Sequence, residues 1–179
     1  MAAASVAYLV NWRLSERQAV EISRLEGLAR TDPLTGVPNR RVWEEELPRE
    51  LDRVRRMGTG LCLAMIDLDD FKSYNDRFGH QAGDQVLKEA AGAWRAEVRS
   101  TDLLARYGGE EFVLLLPACA LDDAGRIVER LRTVTPLVTC SVGLACWDFQ
   151  EAGAELVARA DQALYAATAG GRNRYVLAS

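Results

Sequence analysis

"RYGGEEFVLLLP", Arg106 to Pro117, sets two glycines and two carboxylates directly before a run of apolar residues. The apolar part, Phe112 to Leu116, reads as a buried strand, and Leu103 to Tyr107 reads as its hairpin partner across the glycines. A plain surface turn is served by Asn-Gly or Asp-Gly. Doubled glycines followed by doubled acids at the mouth of a strand therefore ask for a purpose. Gly108 and Gly109 lack a β-carbon, which permits a tight turn and lets a ligand's phosphates approach the main chain. Glu110 and Glu111 are consecutive, and side chains alternate along a strand, so the two acids are expected to face opposite ways.

The neighbouring text supplies the rest of a sheet. "LCLAMI", Leu61 to Ile66, is a six-residue apolar run closed by Asp67, as expected of a strand buried on both faces. "LVTCSVGLA", Leu137 to Ala145, and the short Tyr175 to Leu177 read as further strands. Arg41 to Met57 carries a helical stripe through Trp43, Leu47, Leu51 and Val54, with a kink or restart expected at Pro48. Asp84 to Arg99 is the clearest helix, with Val86, Leu87, Ala90, Ala91, Trp94 and Val98 on one face and Asp84 placed as its cap. Asp122 to Arg132 and Glu155 to Thr168 are two more. The order predicts an α+β fold: a mostly antiparallel sheet with helices packed on it.

With 179 residues and 49% hydrophobic composition, the chain is sized for one domain with a single core and an appendage. A net charge of −4 provides no global basic field, so a nucleic acid polymer is not the expected partner. Cys62, Cys119, Cys140 and Cys146 lie in or beside apolar runs without CxxC spacing, and are expected as reduced, buried thiols in a cytoplasmic setting. Ala2 to Val10 is apolar but shorter than the roughly 20 residues of a membrane span. The chain as it stands is expected to be soluble, either cytoplasmic or the cytosolic part of a longer membrane-anchored protein. Arg13 to Arg30 has the spacing of a partner helix or coiled-coil linker. "TDPLTGVPNR", Thr31 to Arg40, is a Pro/Gly turn cluster that marks the domain boundary, giving a helical segment over 1–30 and a globular domain over 31–179.

Acids recur at a second strand end, where Asp67, Asp69 and Asp70 follow "LCLAMI". Each cluster alone reads as a solvated loop. Aligned on neighbouring strands, the two sets would meet at one sheet edge, and bunched carboxylates repel unless a cation lies among them. Hard oxygen ligands suit magnesium, which takes one or two protein carboxylates and completes its shell with water and substrate phosphates.

"RYGGEEF" resembles the signature of the GGDEF family, the bacterial diguanylate cyclases, in its GGEEF form. "DPLTG", "DLDDFKSYND", "FGHQAGD", "RSTD", "TCSVGLA", "ADQALY" and "GRN" resemble its other motifs in order and spacing. The resemblance covers Thr31 to about Val176. It implies a βααββαβαβ domain with a five-stranded sheet, similar to the palm of nucleotidyl cyclases. It also implies condensation of two GTP into cyclic di-GMP with release of two pyrophosphates, which needs a homodimer in which each domain holds one GTP. Asp67 and Glu110 are then similar to the acids that hold magnesium or manganese, with the Leu68 carbonyl beside them. Glu111 becomes a second ligand or a proton acceptor. Asn75 and Asp84 match the guanine-reading pair, although by themselves they read as an Asn-Asp turn and a helix cap. Phe71, Gly108 and Gly109 line the substrate, and Lys72 and Arg172 match cations that bind the triphosphate. His80 is expected to be structural.

"RSTD" places Arg99 and Asp102 where members of the family carry an inhibitory site for the product. Arg126 and Arg130, four apart on one helical face, match positions that complete it in some relatives. The resemblance departs at Thr168, which stands where the family usually has a lysine on the terminal phosphates. The stretch Val134 to Thr139 is also short. The alternatives are a degenerate member that senses GTP or cyclic di-GMP, a cyclase making a mixed dinucleotide, and a pure dimerisation module. The complete set Asp67, Glu110, Glu111 and Asp84 argues against all three.

Overall fold

A computed structural model of the chain describes residues 30–178. The expectations for 1–30 as a helical segment fall outside that range, save Arg30. The first helix, α1 (Arg40–Met57), is capped by Asn39, whose side chain accepts a hydrogen bond from the Val42 amide at 3.2 Å. It runs through Pro48 as one helix, with no restart there. Then follow β1 (Leu61–Leu68), α2 (Phe71–Phe78), α3 (His80–Glu97), β2 (Leu103–Gly108), β3 (Glu111–Pro117), α4 (Leu121–Val134), β4 (Cys140–Cys146), α5 (Gly153–Ala169) and β5 (Tyr175–Leu177). From β1 onward this is the βααββαβαβ order.

The strands form one five-stranded sheet in the order β2-β3-β1-β4-β5, antiparallel except for the parallel β4 and β5 pair. The apolar run of β1 lies at the centre because it is buried from Leu61 through Ile66. Its alternating side chains feed two cores. Cys62, Ala64 and Ile66 join Val86, Leu87 and Trp94 of α3 and Ile127, Val128 and Leu131 of α4. Leu61, Leu63 and Met65 join Trp43 and Leu47 of α1 and Leu156, Ala160 and Leu164 of α5. Covered on both faces, the central strand shows the continuous apolar text expected of such a position.

Three differences from the sequence expectation have local causes. Helix α2 was not anticipated by hydrophobic period, since Phe71 is its one buried residue. Helix α3 begins at His80 and not at Asp84, because Gly79 at φ 85° makes the break; Asp84 therefore sits within the helix and caps nothing. Strand β4 begins at Cys140 and not at Leu137, because Leu137 has φ 66° and the Val138 amide turns back to the Pro136 carbonyl at 2.7 Å.

The cysteines divide. Cys119 and Cys140 are buried free thiols, as expected, but Cys62 and Cys146 form a disulfide. The pair is hidden in the text by a separation of 84 residues; the antiparallel register of β1 on β4 sets the two opposite each other with Cα atoms 4.0 Å apart.

Candidate active site

Strand register builds the acid cluster. Asp67 stands opposite Glu111 of β3 on one side and Ser141 of β4 on the other. Directly opposed residues share a sheet face, so two carboxylates are held side by side at the end of the sheet. Glu110 lies in the turn just before β3. The Asp67 carboxyl is pushed up to about 7, first by burial, then by the charges of Glu110, Glu111 and Asp69, with Arg172 opposing. Glu111 is also raised, by burial first and then by Asp161 and Glu110, while Arg40 works against the rise. A carboxyl that like charges and low dielectric keep from ionising is a site that a cation would relieve.

The donor set fits a hard divalent ion. Among the described residues no group of three or more His, Cys, Asp or Glu side chains forms a metal cage. Asp67 with the neighbouring Glu110 and Glu111 offers oxygen donors alone, which suit magnesium better than zinc.

The glycine turn is fastened from below. Arg106 donates to the Gly109 carbonyl through Nε at 2.9 Å and Nη2 at 2.7 Å. Its Nη1 reaches both oxygens of Asp32, at 3.1 and 3.2 Å. Asp32 in turn accepts from the Thr35 amide at 2.8 Å and hydroxyl at 2.6 Å. Burial opposes its ionisation, yet the Thr35 and Arg106 hydrogen bonds hold the carboxyl below its ordinary value. "DPLTG" and "RYGGEEF" are thus one structural unit, which the sequence motifs did not reveal because their partners are 74 residues apart.

Asn75 packs across the α2–α3 junction against Gly83. The Asn75 Oδ1 is buried without a hydrogen-bond partner among the described residues. It fills the space where Gly83, the residue before Asp84, has no side chain: a β-carbon there would lie 1.8 Å from Oδ1. Asp84, Lys72 and His80 are exposed, and Phe71 is buried. Arg172 lies 3.4 Å from Asp70 and within electrostatic reach of Asp67.

Arg99 and Asp102 close a turn on each other, the Arg99 amide donating to Asp102 Oδ2 at 2.8 Å. They line a groove of about 390 Å³ with Arg95 and Ser100. Arg126 and Arg130 line a different groove, of about 480 Å³, with Tyr175 and Leu177. The two arginines are paired with Asp123 and Glu97. The four residues are therefore not gathered into one groove. Thr168 donates its hydroxyl to the Leu164 carbonyl of its own helix at 3.1 Å.

Comparison with known proteins agrees with this architecture. The family model for the diguanylate cyclase GGDEF domain matches residues 29–174. The chain is 48% identical over 161 residues to the diguanylate cyclase DgcP of Pseudomonas aeruginosa, covering 84% of this chain and 24% of that protein. It is 42% identical over 166 residues to the response regulator PleD of Caulobacter vibrioides, covering 83% of this chain and 36% of that one. The chain thus spans about a quarter to a third of the length of these relatives. Among solved structures, the coiled coil and GGDEF domain of DgcB from Caulobacter crescentus in complex with c-di-GMP superposes with a TM-score of 0.81 at 33% identity, covering 96% of this chain and 98% of that chain. The diguanylate cyclase SiaD of Pseudomonas aeruginosa, in complex with its activator SiaC, gives 0.80 at 40% identity, covering 97% and 79%.

Proposed function

The chain belongs to the GGDEF family of diguanylate cyclases, and from that premise we propose that it condenses two GTP into cyclic di-GMP, releasing two pyrophosphates. The observation that carries the reading is the register that sets Asp67 against Glu111, with Glu110 beside them, in a cluster where burial first and the neighbouring acids second raise the Asp67 carboxyl to about 7. Asp67, Glu110 and the Leu68 carbonyl would hold magnesium or manganese. When bound, the ion polarises the α-phosphate and makes the 3′-hydroxyl more acidic. Glu111, with its raised basicity, is suited to take the hydroxyl proton. The turn at Gly108 and Gly109, fastened by Arg106, lets the phosphates lie against the main chain, and Lys72 and Arg172 neutralise them. Asn75 and Asp84 read guanine, beside Phe71: a carboxylate accepts from N–H donors that adenine does not present in that arrangement. Incubation with GTP and magnesium, followed by mass analysis, should give cyclic di-GMP. Bound but unconverted GTP would instead mark a sensor, and a mixed dinucleotide from added ATP a cyclase of other specificity.

Each 3′-hydroxyl must reach the other nucleotide, so two domains face each other, and holding both substrates in attack geometry replaces a bimolecular encounter. We assign 31–179 to the catalytic domain and 1–30 to a segment that pairs two chains. Deleting Ala2 to Gly27 is expected to lower activity more at low protein concentration than at high; an equal loss at both removes that role. Among the described residues no helix is long and apolar enough to cross a membrane; GTP as substrate, a cytosolic nucleotide, supports a cytoplasmic setting for the domain.

Thr168 brings no cation to the phosphates, and its hydroxyl is engaged within α5. Thr168→Lys is expected to lower the apparent KM for GTP with kcat little changed, since the added charge acts on the bound ground state. An unchanged KM places Thr168 outside the phosphate pocket.

Product inhibition is assigned to Arg99 and Asp102, with Arg126 and Arg130 recruited from the adjacent groove. Their present ion pairs are surface-exposed and therefore weak enough to exchange for phosphate. Arg99→Ala should relieve inhibition by added cyclic di-GMP in initial-rate assays; inhibition equal to that of the unsubstituted protein would sink the assignment.

A further inference from the structure

We propose that Asp69 is a positioning residue for substrate: its buried carboxylate clamps the turn at Arg172 and Asn173 and so aims Arg172 at the triphosphate. The proposal rests on the assignment of Arg172 to phosphate made above and adds the device that holds it. The turn between α5 and β5 needs holding. Gly171, Arg172 and Asn173 have consecutive positive φ values of 112°, 62° and 47°. Two of these are side-chain-bearing residues in a region that L-amino acids occupy only when their surroundings fix them.

The Gly171 and Arg172 amides close on the helix end, donating to the Thr168 and Ala167 carbonyls at 3.3 and 3.1 Å, but Asn173 is fixed from outside the turn. Asp69, only 5% exposed, follows β1 and accepts from the Asn173 amide at 3.0 Å. The same carboxylate accepts from the Thr139 hydroxyl at 2.6 Å and the Ser141 hydroxyl at 2.6 Å. Its own amide donates to the Thr139 carbonyl at 2.9 Å. Thus Asp69 joins the end of β1, the entry to β4 and the turn before β5 through three hydrogen bonds to a charged acceptor, a class of bond about twice as strong as its neutral counterpart. On the far side, Asn173 Oδ1 accepts from Arg132 Nη1 at 2.6 Å, and Arg132 is itself held by Glu129. Arg172 immediately precedes the doubly anchored Asn173, its guanidinium exposed and resting against Asp70 at 3.4 Å. Asp69 and Asp70 thus divide the work: one fixes the backbone, and the other borders the free end of the cation.

The test separates aim from fold by comparing ligands that do and do not reach Arg172. Binding of 3′-deoxy-GTP and 3′-deoxy-GMP, which lack the attacking hydroxyl and so are not turned over, is titrated in the presence of magnesium. Asp69→Asn keeps the side-chain volume but loses the charge. It is expected to weaken the triphosphate by about tenfold, while the monophosphate changes by less than about twofold. Equal weakening of both ligands, or of neither, overturns the proposal. Thr139→Val removes one supporting hydroxyl from an exposed residue. It should give the same selective loss, about threefold, and it decides the matter if Asp69→Asn does not fold. If the unsubstituted protein shows no preference for the triphosphate, it is the parent assignment of Arg172 that fails, and this one with it. A preference that survives both substitutions unchanged sinks the clamp alone.

Discussion

Asp67→Asn is expected to reduce cyclic di-GMP synthesis by roughly 100-fold or more, while raising the melting temperature of the metal-free protein at pH 8. The loss follows from removing one of the two carboxylates assigned to the metal. The gain follows from the electrostatics of the empty cluster. Burial and the neighbouring acids raise the Asp67 carboxyl from an ordinary 3.8 to about 7. Between those values the folded protein binds more protons than the unfolded chain, so stability falls as pH rises through that window. Asparagine cannot ionise and is spared the fall. The two proteins should therefore melt alike near pH 4 and diverge toward pH 8. Magnesium at pH 8 should raise the melting temperature of the unsubstituted protein and leave that of Asp67→Asn unmoved. A magnesium response that is absent from the first, or equal in both, would remove Asp67 from the metal site.

Gly143→Ala should be the most damaging single methyl group in the domain. Gly143 stands opposite Met65 in the sheet, on the face that receives α5. A β-carbon there would lie 2.0 Å from the Ala160 carbonyl oxygen, 2.2 Å from the Leu164 amide nitrogen and 2.8 Å from the Leu164 Cα. All three are backbone atoms, so no rotamer change relieves the clash and the helix itself must lift. Overpacking of this kind costs about 3 kcal/mol or more, and a domain of this size loses roughly 10 °C of melting temperature as a result. Soluble protein that melts within about 2 °C of the unsubstituted domain would show that α5 does not approach β4 so closely.

The features legible in the text were those with a local signature. The apolar run of β1 and the glycine pair before β3 each declare themselves within a dozen letters, and the antiparallel sheet follows from them. The family resemblance added α2, the first of the two helices after β1, which periodicity did not reveal, since a helix burying only Phe71 has no stripe to read. What escaped was long-range. Nothing in "DLDD" distinguishes Asp69 from Asp70, yet one is buried under three hydrogen bonds and the other is exposed. Likewise, the grip of Arg106 on Asp32 and the union of Cys62 with Cys146 depend on which strands become neighbours, a property of the whole sheet.

Because Asp67 meets Glu111 only through the frame in which β1 and β3 are paired, removing a single letter from either strand would rotate one acid to the opposite face, along with every apolar neighbour behind it. Reading frame and chemistry are thereby locked together in these two strands. A change of length is borne more readily in a connector such as 135–138, where no alternation is being kept.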